Sequence, residues 1–212
     1  MATIVELNDH IKNGKFAEVE RVAHELLKMG MDPQEIIKDG IVPTLDDVGQ
    51  KFSAGECFIP EMLIAAKSSQ KILDILKPRL VQENYEPRGK VVIGTVKGDM
   101  HDIGKNMVAM LIESAGFEVK DLGVDVSSDV FVDTIKEIKP QVVGLSCLLT
   151  TTMVNMKGIV GSIKEATPDD DFKIIIGGPP TSEQFAREIG ADYYGRDAYA
   201  GLEILKGIAT VS

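Results

Sequence analysis

The chain has 212 residues, 44% apolar and 26% charged, with a formal net charge of −10, a composition that suits one large globular domain or two small ones. The negative surface argues against nucleic acid as a partner, and the lack of Trp argues against a stacking platform for single strands. No apolar run approaches the roughly 18 residues of a membrane span, and the N-terminal "MATIVELNDH" is no secretion signal, so a cytoplasmic protein away from membranes is expected.

Up to about residue 77 the apolar pattern is helical. "IVELNDHI" comes first, and Phe16, Val19, Val22, Ala23, Leu26 and Leu27 then form one face of a second helix, which Met29-Gly30 ends. In "DPQE", Asp32 is a cap, Pro33 suits a first turn and Glu35 completes a capping box. Ile37, Ile41, Leu45, Val48 and Phe52 continue the stripe, with a kink predicted at Pro43. After "SAGECF", Pro60 restarts a helix whose buried stripe is Met62, Ala66, Ser69, Leu73 and Leu76. These segments predict a bundle of four or five short helices. "KPRLVQENYEPRGK" breaks the rhythm and reads as a linker, dividing the chain into domains 1–88 and 89–212.

From Lys90 onward short apolar runs alternate with helical segments. Strands are predicted at "KVVIGTV", "FEVKDLG", "VVGLS", "FKIIIGG" and "ADYYG", with helices beginning near Gly104, Ser128, Thr152 and Ser182 and another after Arg196. The repeated βα unit predicts an α/β fold with an open, five-stranded parallel sheet. Right-handed crossovers favour the flavodoxin-like strand order 2-1-3-4-5.

Open sheets of this kind bind ligands at the carboxyl ends of their strands. Strand 1 leads into "KGDMHDIGKN", which holds Gly98, Asp99, His101 and Gly104, and His101 is one of only three histidines. Strand 3 leads into "SCLLTTT", with Ser146, Leu148, Thr150 and Thr152, and strand 4 into "GGPP", which starts with Gly177, Gly178 and Pro179. In the predicted order strands 1, 3 and 4 are neighbours, so the three loops share an edge. Gly177 and Gly178 would let a ligand lie against their backbone, the threonines would cap a helix and offer hydroxyls, and Leu148 would add an apolar contact. The glycine spacing matches neither a Walker A loop nor GxGxxG.

Asp99 and His101 are the sharper pair. A carboxylate that accepts one imidazole N–H fixes the tautomer and frees the other nitrogen to bind a metal or move a proton. One protein ligand is too few for a bare zinc ion but enough for a metal whose other donors come from a macrocycle. Cys57 and Cys147 form no metal or disulfide motif and read as buried core residues, while His10 and His24 sit on helical stretches and need no role.

Asp99-x-His101-x-x-Gly104, Ser146-x-Leu148 and Gly177-Gly178, separated by residues 105 to 145 and 149 to 176, resemble the signature of cobalamin-binding domains of the methionine synthase type. The helical half is similar to that family's cap, and the whole chain looks like the stand-alone corrinoid proteins of methyltransferase systems. The resemblance implies a cobalamin bound base-off/His-on, serving as cob(I)alamin and methylcobalamin. His101 would be the axial ligand to cobalt, and Asp99 and Thr152 a proton relay, with Thr152 where the family pattern has serine. Gly98, Met100, Asp102, Ile103, Gly104, Ser146, Leu148, Thr150, Gly177, Gly178 and Pro179 would hold the cofactor, and Phe58 would lie over its methyl face.

The function so implied is methyl carriage by a corrinoid subunit with no catalytic residue beyond the cobalt site. A substrate-specific methyltransferase would load it from a methoxyarene, a methylamine or methanol. A second methyltransferase would unload it to tetrahydrofolate or a thiol such as coenzyme M, and a reductive activase would restore it. Three other functions are weighed. A mutase cobalamin subunit shares the signature but is normally joined to a barrel. A cobalamin-dependent regulator is opposed by the charge of −10 and the lack of Trp. A flavin module would differ in its visible spectrum.

Overall fold

A computed structural model describes residues 2–82, 86–168 and 170–209. The chain divides into two compact units, one of residues up to Pro87 together with Met110–Gly116, the other of Arg88–Ala109 together with Phe117 onward. Among the described residues no helix is long and apolar enough to cross a membrane.

In the first unit, α1 (Ile4–Lys12) is capped by Thr3, whose hydroxyl accepts from the Glu6 N–H at 3.1 Å. The helix α2 (Phe16–Lys28) buries Val19, Val22, Ala23, Leu26 and Leu27, the face read from the sequence. Asp32 caps α3 (Pro33–Glu35), accepting from the Gln34 N–H at 2.8 Å. The chain then widens into a π-helix over Ile36–Ile41 before α4 (Val42–Ser53). This widened turn stands where a kink was expected: Pro43 has no N–H to return to the preceding turn, and the Val42 N–H reaches back to the Ile37 carbonyl instead.

The longest helix, α5 (Ile59–Gln82), packs against α1, α2 and α4 and buries Met62, Ala66, Ser69, Leu73 and Leu76. It corrects the linker expectation, because the helix runs on through Pro78 to Gln82. Leu76 and Leu80 are buried on either side of that proline, and burying two leucines offsets the roughly 3 kcal/mol that an interior proline costs. Residues 83–85 of the expected linker lie outside the described residues. Cys57 is half-buried rather than core, its thiol donating to the Val48 carbonyl at 3.4 Å.

The second unit holds β1 (Lys90–Thr95), β2 (Glu118–Asp121), β3 (Val142–Ser146), β4 (Lys173–Gly177) and β5 (Tyr193–Gly195), all parallel, in the order β2-β1-β3-β4-β5. Between and after them come α6 (Ile103–Ser114), α7 (Ser128–Ile138), α8 (Thr150–Ala166), α9 (Glu183–Ile189) and α10 (Ala198–Ala209). Val92, Val143, Leu145, Ile174 and Ile176 project to one face, in a core with Phe131 of α7 and Met156, Ile159 and Val160 of α8. On the opposite face Val91 and Val142 share a recess with Leu205 and Ile208 of α10. The pleat thus gives the central strands β1, β3 and β4 two covered faces, which is why they read as near-unbroken apolar runs, whereas the edge strand β2 is largely exposed. The register aligns Thr95 with Ser146, Ser146 with Gly177 and Gly177 with Gly195. Four strands therefore end level, and the loops that follow them share one edge.

Candidate functional site

The loop after β1 bends at Gly98, φ +85°, and carries Asp99 inward and His101 outward. The Asp99 side chain is fully buried and both its oxygens are engaged. Oδ1 accepts from the His101 main-chain N–H at 3.0 Å and lies 2.7 Å from His101 Nδ1. Oδ2 accepts from the Leu148 N–H at 2.8 Å, the Leu149 N–H at 3.3 Å and the Thr152 hydroxyl at 2.7 Å. Burial alone would raise the Asp99 carboxyl, but the donors from Leu148, Thr152 and His101 outweigh it and hold it well below the usual carboxylate range. An ionised carboxylate only accepts, so His101 Nδ1 carries the hydrogen, and in the neutral imidazole Nε2 is then the nitrogen with the lone pair. The imidazole is 50% exposed. It is a nitrogen donor of fixed tautomer, offered outward from an anchored base.

Other side chains hold the same loop, and the sequence reading did not single them out. The buried Thr95 hydroxyl donates to the His101 carbonyl at 3.0 Å, and the Asn155 amide donates to the Lys97 carbonyl at 2.7 Å. Asp125 accepts from the Gly98 N–H at 2.8 Å, while its own N–H donates to the Asp99 carbonyl at 3.0 Å. Faint signals existed. Asn155 lies one helical turn beyond Thr152, and Asp125 sits at φ +57°, a conformation Asp tolerates better than most residues.

The expectation that the threonines cap a helix is corrected. Leu149 is the cap position of α8 and makes no side-chain cap bond, so Thr150 to Thr152 form the first turn. From there the buried Thr152 hydroxyl is directed at Asp99, with the Leu149 carbonyl at 3.0 Å as its alternative acceptor, while Thr150 is exposed. Ser146 and Gly177 stand side by side in register at the rim.

Gly178 has an intramolecular reason to be glycine. Its φ is +118°, and a Cβ there would stand 1.8 Å from the Cys147 carbonyl oxygen. Pro179 and Asp102 are exposed, and a Cβ on Gly104 would meet open space. Met100, Ile103, Leu148 and Leu149, on the loops around the polar pair, expose large apolar side chains.

Direct bonds thus join Asp99, His101, Leu148 and Thr152, and register joins Ser146 to Gly177. Phe58 belongs to the helical unit, where it precedes α5 with 67% of its surface exposed and its N–H donating to Glu61 Oε2 at 2.6 Å. That exposure removes the alternative that it is a core residue. Cys147 is buried at the end of β3, and burial pushes its thiol up to about 12, which leaves it no use as a nucleophile. Among the described residues no three His, Cys, Asp or Glu gather to hold a metal ion by themselves.

Residues 89–203 match a family model described as the B12 binding domain, and residues 4–77 match a second model of the same description. A trimethylamine corrinoid protein of Methanosarcina barkeri is 42% identical over 194 residues, which cover 91% of this chain and 89% of that one. The crystal structure of a cobalamin-binding protein from Desulfitobacterium hafniense is similar with a TM-score of 0.81 and 33% identity, covering 98% of this chain and 99% of that one. The methanol:cobalamin methyltransferase complex of Methanosarcina barkeri shares the fold, with a TM-score of 0.84 over 99% of this chain and 80% of that one at 24% identity. With a family model over more than half of the chain and a relative this similar over most of its length, the chain belongs to the B12-binding family, among the corrinoid proteins.

Proposed function

We propose that this corrinoid protein carries a methyl group between two methyltransferases, holding a cobalamin base-off with His101 Nε2 as the lower ligand to cobalt. The observation that carries the reading is the 2.7 Å contact between Asp99 Oδ1 and His101 Nδ1, beneath a ring that is half exposed. The residues fit the group. A corrin brings four nitrogen donors of its own and asks for one more, and His101 offers one imidazole of fixed tautomer, flanked by Met100, Ile103, Leu148 and Leu149.

We assign Gly98, Met100, Asp102, Ile103 and Gly104 after β1, Ser146, Leu148 and Thr150 after β3, and Gly177, Gly178 and Pro179 after β4 to contact with the cofactor. Phe58, free of the helical core, is our candidate from residues 1–88. When bound, the cobalt supplies the centre that takes up and hands on the methyl group. The chain's own part is orientation and charge. Asp99 stays ionised and keeps the Nδ1 hydrogen in place, and Thr152 holds the other carboxylate oxygen and completes the relay.

The relatives named for trimethylamine favour a methylated amine as the donor over methanol or a methoxyarene. The partners are then an amine-specific methyltransferase, a second methyltransferase acting on tetrahydrofolate or a thiol such as coenzyme M, and a reductive activase. Reconstitution with hydroxocobalamin and reduction to cobalt(II) tests the central assignment. The paramagnetic resonance spectrum should carry imidazole nitrogen coupling, and His101→Ala should lose it. Coupling that survives in the variant overturns the assignment. With a partner methyltransferase added, the cofactor's visible spectrum should change for a methylamine and stay constant for methanol.

A further inference from the structure

Two lysines flank His101 at equal spacing, Lys97 four positions before it and Lys105 four after. Each reaches an aspartate of one short segment, "DLGVD", residues 121–125. Lys97 Nζ lies 3.0 Å from Asp125 Oδ2, and the buried Lys105 Nζ donates to Asp121 Oδ2. Asp121 also accepts from the Gly123 N–H at 2.8 Å, which curls the segment. The segment that ends β2 and follows it therefore meets the His101 loop at Lys97 and the first turn of α6 at Lys105.

Asp125 does more than pair with Lys97. Its Oδ1 accepts from the Gly98 N–H at 2.8 Å, and its own N–H donates to the Asp99 carbonyl at 3.0 Å. It thus bonds the main chain on both sides of the Gly98 pivot, a glycine at φ +85° that would otherwise sample many conformations. The Asp99 carboxylate is fixed separately, by Leu148, Leu149 and Thr152. The Lys97–Asp125 pair is exposed on both partners and contributes little by its charge.

We propose that Asp125 is a positioning residue for His101: its carboxylate locks the Gly98 turn, so that the imidazole is presented to cobalt already oriented. The proposal rests on the assignment of His101 as the lower ligand. It takes nothing from the cofactor itself and acts on the loop's main chain alone.

The variant to compare is Asp125→Gly, which accepts the left-handed backbone and keeps the main-chain N–H but deletes the carboxylate. In cobalt(II) protein the ratio of imidazole-bound to imidazole-free cobalt, read from nitrogen coupling, should fall about tenfold, the lower end for outer-shell losses. Asp125→Asn, whose side-chain oxygen can still accept from Gly98, should restore most of it, and Lys97→Met should leave it unchanged. In the cofactor-free protein, hydrogen exchange at the Gly98 amide should rise by about tenfold in Asp125→Gly, while protection of the β3 amides persists and reports an intact fold.

A wild-type ratio in Asp125→Gly, with coupling still abolished in His101→Ala, overturns this proposal and leaves the ligand assignment standing. Absence of coupling in the wild type overturns both. An equal loss in Lys97→Met overturns the hydrogen-bond account in favour of charge.

Discussion

Asp99, at the edge of the sheet, is fully buried and accepts five hydrogen bonds, whereas Phe58, before α5, is exposed over 67% of its surface and is held through its main-chain bond to Glu61. The two cysteines repeat the contrast, Cys147 being buried at the end of β3 and Cys57 half-buried beside Phe58. A donor that must keep one tautomer and one direction has to be built from many partners. An apolar side chain meant to meet a ligand has to be kept out of its own core. The difference in burial suits the two tasks we propose for these residues.

That contrast can be broken by mutation, and the largest effect is expected at its rigid end. Asp99→Ala strands the donors of Leu148, Leu149 and Thr152 in a buried place and should cost about 3–5 kcal/mol of stability. Cofactor affinity should fall roughly 10–100-fold with it; urea unfolding and cobalamin titration measure the two. Gly178→Ala drives a Cβ to 1.8 Å from the Cys147 carbonyl at φ +118° and should cost about 3 kcal/mol. A wild-type melting curve there would mean that β3 and β4 part easily. Thr152→Val removes one donor to Asp99 Oδ2 and should cost about 1–2 kcal/mol, with Thr152→Ser nearly neutral.

The cysteines sharpen the comparison without any substitution. At pH 8 iodoacetamide should label Cys57 and spare Cys147, as peptide mass mapping would show. The folded Cys147 thiol, held up to about 12 by burial, stands above its ordinary value of about 8.5. The unfolded chain therefore releases that proton first. The native state should lose stability as pH rises from about 8.5 toward 12 and gain nothing below that range, a trend that urea midpoints would follow. The smallest effect belongs to Phe58→Ala, which should change stability by no more than about 0.5 kcal/mol. A loss above about 1 kcal/mol would return Phe58 to a packing role.

The sheet was legible because its central strands β1, β3 and β4 are covered on both faces and appear as short apolar runs between glycines and charges, with handedness leaving little choice of order. The site followed from the strands. Because Thr95, Ser146 and Gly177 end level, placing three strands already placed three loops on one edge. What stayed hidden depends on partners distant in sequence. Pro78 looks like a breaker, and only the burial of Leu76 and Leu80 on either side of it shows why α5 passes through. Thr95, Asp125 and Asn155 are ordinary polar residues whose partners are main-chain atoms of another loop, and a main-chain atom leaves no mark in a sequence. The π-helix beside Pro43 is hidden for the same reason, since what changes is which carbonyl receives a hydrogen.

The near-contact between Gly178 and the Cys147 carbonyl has a practical consequence. Where the chain leaves β4, Gly178 lies backbone to backbone against Cys147, with no side chain of its own to trim. A library that randomised Ser146 and Leu148 would alter the lining of this edge and leave that backbone approach as it is. Anyone wishing to seat a cofactor analogue of different girth would have to respace the strands, by recutting the layer of Leu145, Ile176 and Met156 beneath them.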